Sequence, residues 1–192
     1  INPQIIKSYA VGDYETSRKL ALSTNVYVFE MSLLVGLPLI YLMDSVLNIW
    51  LIEVPEYTVV FSQLIIIQRL ISCIDGSFYI SLVTVGKLKN NSIAALLLGI
   101  SQFVVLYIIF RGGGDVMWGQ YVFIIIASFF AFFIKPFLLH KEANYPIKET
   151  LKCIYYCLRI TMISVLFSLP LYLLIDKSVA CQIMLLFWTV AS

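Results

Sequence analysis

Hydrophobic positions in this chain gather into six long runs, and only short polar segments separate them. The runs cover about 20–43, 57–85, 93–110, 117–139, 153–175 and 181–192. Runs of roughly 20 apolar residues match a ~30 Å hydrocarbon core at 1.5 Å per residue. Each is expected to be a helix, because backbone groups in lipid must pair within their own segment. Residues 1–10 read as the end of an earlier helix, followed by a polar connection from Val11 to Lys19. Pro38 is expected to kink the first full run, and Asp44–Glu56 to form a short interfacial helix with Trp50 at headgroup level. The second run, 57–85, exceeds what the bilayer requires and should tilt or protrude. Asn91 or Ser92 is expected to cap the third run. Arg111-Gly112-Gly113-Gly114-Asp115 reads as a plain turn, since no Lys-Ser/Thr follows to make it a phosphate loop. His140–Lys152 is the longest polar loop, with Pro146 suited to a first helical turn, and Pro170 is expected to kink or end the fifth run.

Composition agrees with this pattern. Hydrophobic residues are 61% of the chain and charged residues 12%, against about 25% charged in a soluble domain. The formal charge of +2 gives no reason to expect a nucleic-acid partner. Charge is distributed by side. Lys7, Arg18, Lys19, Lys87, Lys89, Lys135, Lys141, Lys148 and Lys152 fall at one set of run ends, and Arg111 and Lys177 at the other, with Asp44, Glu53, Glu56, Asp115 and Asp176. Cytoplasmic loops retain Lys and Arg, so loops 11–19, 86–91 and 140–152 are expected on the cytoplasmic side. Cys73, Cys153, Cys157 and Cys181 stand in apolar sequence and read as buried or lipid-facing thiols. No exterior connection is long enough to hold the catalytic carboxylates of a membrane glycosyltransferase or polymerase, so the chain reads as a non-enzyme without a cofactor.

Ionisable residues inside the runs carry the functional argument, because a charge at mid-bilayer costs at least ~2.5–3.5 kcal/mol and calls for water or a partner. Arg69 stands near mid-span beside Gln68, and Asp75 follows at ~9 Å of helix rise, offset in direction. Ser62, Gln63, Ser72 and Ser77 give the same run a partly polar surface, as expected of a helix lining a wet cavity. Arg69 suits recognition of an anion, since its planar fork of donors stays protonated. Glu30 and Arg159 lie deeper than loop residues. Arg159 either pairs or snorkels, and Lys135 is expected to snorkel to the headgroups.

The segment from Asn2 to Glu15 resembles the Pro-Gln-Ile-x-Lys-Ser-Tyr-Ala-x-Gly-Asp stretch of oligosaccharide flippases of the O-antigen (Wzx) type. These belong to the multidrug/oligosaccharidyl-lipid/polysaccharide exporter superfamily. Leu37-Pro38-Leu39, Ile49-Trp50-Leu51, Val54-Pro55-Glu56-Tyr57 and Gly86-Lys87-Leu88-Lys89-Asn90 follow in a similar order. Asn90-Asn91 departs from the aromatic frequent in that loop. The resemblance covers residues 2–90 and beyond them is one of hydropathy.

It implies an all-α polytopic transmembrane helical bundle, the C-terminal-lobe fragment of a two-lobe MATE-like transporter. Residues 1–139 would be the end of the second helix of that lobe plus its remaining four helices. Residues 140–192 would be a cytoplasmic loop and a trailing helix pair, the last one cut short, so the chain reads as an internal piece of a larger protein. The implied cargo is a polyprenyl-diphosphate-linked oligosaccharide, flipped across a bacterial inner membrane by alternating access. Arg69, Gln68 and Lys7 would then face the headgroup. Asp75, Glu30 and Arg159 would couple a proton or sodium ion or hold ion pairs. A polysaccharide polymerase and a chain-length regulator are implied partners. The competing expectation is a cation-coupled drug or metabolite antiporter of the same superfamily.

Overall fold

The computed structural model describes residues 2–174 of the chain. The sixth apolar run, with Asp176, Lys177 and Cys181, lies outside the described residues. Within them the protein is all-α: α1 Asn2–Ala10, α2 Tyr14–Trp50, α3 Thr58–Val85, α4 Lys89–Arg111, α5 Met117–Phe129, α6 Lys135–Ala143 and α7 Ile147–Leu174. A five-residue π turn, Phe130–Ile134, joins α5 to α6. Taking α5 to α6 as one span, five helices among the described residues are long and apolar enough to cross a membrane. The chain is a polytopic transmembrane bundle.

Three boundaries differ from the sequence expectation for one reason: polar residues end a hydropathy run without ending a helix. The Asp13 carboxylate accepts a hydrogen bond from Thr16 N at 3.0 Å, so α2 begins at Tyr14, inside the polar connection. Lys19 and Glu15, paired at 2.7 Å across one turn, continue it. At its other end α2 passes through Pro38 and on to Trp50, so no separate interfacial helix forms. At about 55 Å this helix is far longer than the hydrocarbon core. Likewise α6 runs on to Ala143 and α7 starts at Ile147, reducing the expected loop to residues 144–146, with Asn144 left-handed. Asn91 does not cap α4; it lies buried in the first turn of a helix that starts at Lys89. Around Gly112–Gly114 the turn needs its glycines: Gly113 has φ +80°, and a Cβ on Gly114 would meet Ile109 Cγ2 at 2.5 Å.

The core lies between α2, α3, α6 and α7. Phe29, Leu33, Ile74, Phe78, Leu82, Leu139 and Cys157 fill it. Gly36 brings α2 close to α3, since a Cβ there would stand 3.2 Å from Ile66 Cγ2. Small residues permit such backbone approach in membranes, where packing replaces the hydrophobic effect as the driving force. At the basic end, Tyr145 plugs the core from the 144–146 loop, hydrogen-bonded with Ser81, and burial raises its phenol above the ordinary value. Arg18 Nε meets Glu149 Oε2 at 3.0 Å, tying α2 to α7. Asn90 donates to Glu142 at 2.6 Å, tying α4 to α6. By contrast α4 presents Leu96, Leu97, Ile100, Phe103 and Tyr107 outward, as expected of a lipid-facing helix.

Candidate functional site: a buried charge pair beside an open arginine

The polar residues of α3 divide between two faces. At about 100° per residue, Gln68, Asp75 and Tyr79 point toward α5 and α6, and Arg69 points about 180° away from the buried Phe78. The seam toward α5 and α6 holds two polar contacts. Gln120 Nε2, buried on α5, donates to Gln68 Oε1 at 2.8 Å. Two turns further along α3, Asp75 Oδ1 lies 2.9 Å from Lys135 Nζ. The Lys135 side chain is 0% exposed and that of Asp75 27% exposed, so the carboxylate reaches the surface of the bundle while the ammonium behind it is covered. Lys135 Nζ also lies 5.2 Å from the ring centroids of Tyr79 and Phe130, a cation–π distance.

The expectation that Lys135 snorkels is therefore corrected. Lys135 starts α6 directly after the π turn, where its own N–H bonds back to Phe130 O. Pro136 follows and supplies the cause. A proline has no N–H for the carbonyl four residues back, and its ring clashes there in a regular helix. The wider π turn relieves that clash and changes the direction in which Lys135 leaves the helix. Lys135 lies about 12 Å of helix rise from Ala143, and Asp75 about 15 Å from Val85. These similar depths, on spans that run the same way, are the signal that pairs the two. The proximity of Lys135 to the loop masked it.

The two groups stand at ion-pair distance, and neither atom has a further hydrogen-bond partner among the described residues. Charge holds the pair. On the neighbouring face of α3, Asn25, fully buried on α2, donates from Nδ2 to Ile74 O at 3.0 Å, one residue from Asp75.

The other expected residues do not join this cluster. Arg69 is exposed and makes no ion pair with any described residue. Half-buried Ser62 and Ser72 and exposed Gly76 share its side of α3. The Ser77 side chain lies outside those described. Lys7 is exposed on α1, and Arg159 is exposed on α7. Glu30 is half-buried on α2. Cys153 leans toward Leu22 O at 3.6 Å, and Cys73 toward Ser32 Oγ at 3.3 Å. At the acidic end a shallow cleft of about 400 Å³ lies between the start of α3 and the start of α5, walled by Glu56, Thr58, Ser62, Ile65 and Asp115. It shares Ser62 and Ile65 with the side of α3 that carries Arg69.

Comparison with protein-family models, with curated proteins and with solved structures finds no match for this chain.

Proposed function

We propose that this chain is part of a membrane transporter that carries a polyprenyl-diphosphate-linked oligosaccharide from the cytoplasmic to the outer leaflet of a bacterial inner membrane by alternating access. One observation carries the reading: the guanidinium of Arg69, near the middle of α3, is exposed and unpaired among the described residues. A charge so placed costs several kcal/mol against acyl tails, and the cost falls if its face looks into water. The small polar residues beside it and the cleft that continues its face support such an aqueous path. A diphosphate headgroup suits a planar donor fork, and its polyprenol tail would remain in lipid. The exposed Lys7 would attract the headgroup at the basic end, which the Lys/Arg bias assigns to the cytoplasm. The order of short motifs over residues 2–90 points to the same class.

The test is Arg69→Ala in the full-length protein. Export of the lipid-linked glycan is expected to cease while membrane levels of the protein are retained. Normal export in that variant removes Arg69 from the mechanism.

The buried Asp75–Lys135 pair favours a second reading, a cation-coupled antiporter, since ionisable groups inside bundles are where coupling ions act. Extrusion of cationic dyes by the wild-type protein, lost on Asp75→Asn, would favour it. Glycan export without dye extrusion would reject it.

A further inference from the structure

Lys135 combines three properties that a structural ion pair does not need together. Its ammonium carries three donors, and among the described residues Asp75 is its one anionic neighbour and no other hydrogen-bond acceptor meets it. Its covering is thin on one side: Asp75 is partly exposed and Tyr79 is an exposed ring. Asp75 lies about 9 Å of helix rise beyond Arg69 and about 120° around α3, with half-buried Ser72 between them, so a group moving along and around α3 from Arg69 passes Ser72 before it meets Asp75 and Lys135. Two cations and one carboxylate leave this stretch with an excess positive charge that no described residue neutralises.

We infer that Lys135 is a second binding residue for a phosphoryl group, occupied at rest by Asp75, and that the incoming anion enters between Asp75 and Tyr79 and takes the place of that carboxylate. The inference rests on the proposed transport of a diphosphate-linked cargo and deepens it. Arg69 makes the first contact in the open, and Lys135 makes the second at depth. Asp75 holds Lys135 when no cargo is present, which spares the empty protein an uncompensated buried charge. Exchange of one anion for another on the same ammonium also links cargo arrival to the release of α3 from α6.

The probe is inorganic diphosphate, titrated against the full-length protein in phosphatidylcholine nanodiscs. Asp75→Asn removes the competing carboxylate, and diphosphate affinity is expected to rise about tenfold, within the usual range of coupling between sites. In Asp75→Asn/Lys135→Gln that gain is expected to vanish. An unchanged or weaker affinity in Asp75→Asn overturns the proposal, as does a gain that survives the loss of Lys135. Should Asp75→Asn fail to accumulate, the exposed Tyr79 offers a second route: Tyr79→Trp narrows the entry and is expected to slow association several-fold, and an unaltered rate overturns the proposal. Failure of the inference is distinguishable from failure of the transport reading. If Arg69→Gln weakens diphosphate binding and the Asp75 and Lys135 variants do not behave as stated, only Lys135 leaves the site. If the wild-type protein binds no diphosphate, both fall. Repeating the titration in phosphatidylglycerol nanodiscs separates the sources of phosphoryl group. A gain undiminished there assigns the carried headgroup, and a gain suppressed there assigns the bilayer's own phospholipid; either supports Lys135 as the binding residue.

Discussion

A lysine with no exposed surface stays in a bundle only while something compensates its charge. Asp75 does so from 2.9 Å, with the rings of Tyr79 and Phe130 alongside. Breaking one side of a buried pair leaves the other charge uncompensated, at a cost of 3–5 kcal/mol where both groups are fully dry. Asp75 is partly exposed, so Lys135→Ala is expected to cost about 3 kcal/mol. Removing both charges in Asp75→Asn/Lys135→Met is expected to recover most of that loss. Thermal unfolding of the four proteins in micelles gives the comparison, and a double variant as unstable as the single one would mean that the pair is not what holds α3 to α6. The sequence made Asp75 visible, because an acid inside an apolar run stands out. It hid Lys135, since a lysine five residues from the His140–Lys152 polar stretch reads as one that reaches the headgroups. Arg69 was legible as a mid-span charge, but its direction depends on which face of α3 packs, and that is a property of the whole bundle.

The elements themselves were legible where apolar runs mark them and illegible at their ends. Hydropathy reports how long a segment stays in lipid, and hydrogen bonding reports how long it stays helical. In α2 the two differ by several residues at each end, because Asp13 caps one end and the other continues past Asp44 to Trp50. Thr16 donates to Asp13 and holds its carboxyl below the usual range. A group whose value is lowered by folding stabilises above its unfolded value and loses that contribution as pH falls through the folded one. The first turn of α2 is therefore expected to fray only in acid. Amide exchange at Thr16 and Ser17, followed from neutral pH downward, reads it out; protection that does not change would remove the cap from the account. The π turn was illegible for a different reason. Pro136 alone predicts a break or a kink, and the structure shows that the helix widens instead, into the π turn Phe130–Ile134. Pro136→Ala restores the missing N–H and is expected to let α5 and α6 fuse as regular α-helix. Absorbing the extra residue of the turn would rotate Lys135 by about 100° relative to α5. A double-mutant cycle between Asp75 and Lys135 in that background is expected to give a coupling near zero. A coupling as large as in the parent protein would show that the proline is not what aims the lysine.

At the scale of the whole molecule, the bundle is closed at one end and open along several flanks. Tyr145, the Arg18–Glu149 contact and the Asn90–Glu142 contact tie the basic end together. The acidic end has the shallow cleft and connections at 51–57 and 112–116 that carry Glu53, Glu56 and Asp115. Moving Lys135 from the loops into the core takes one cation from the basic set, and those that remain still outnumber Arg111, the described cation of the opposite end. The bias that orients the chain therefore survives the correction. It makes a geometric prediction independent of cargo, because orientation follows from retention of Lys and Arg on the cytoplasmic side during insertion. Lys148, exposed at the start of α7, and Glu53, exposed after α2, lie at opposite ends. With the native cysteines replaced by alanine, Glu53→Cys is expected to react with a membrane-impermeant maleimide in intact cells. Lys148→Cys is expected to react only after the membrane is opened. Labelling of both positions from outside would break the pairing of ends with sides. The reverse pattern would invert the bundle, carry Lys7 to the far leaflet, and leave the proposed cytoplasmic headgroup facing carboxylates at its end of entry.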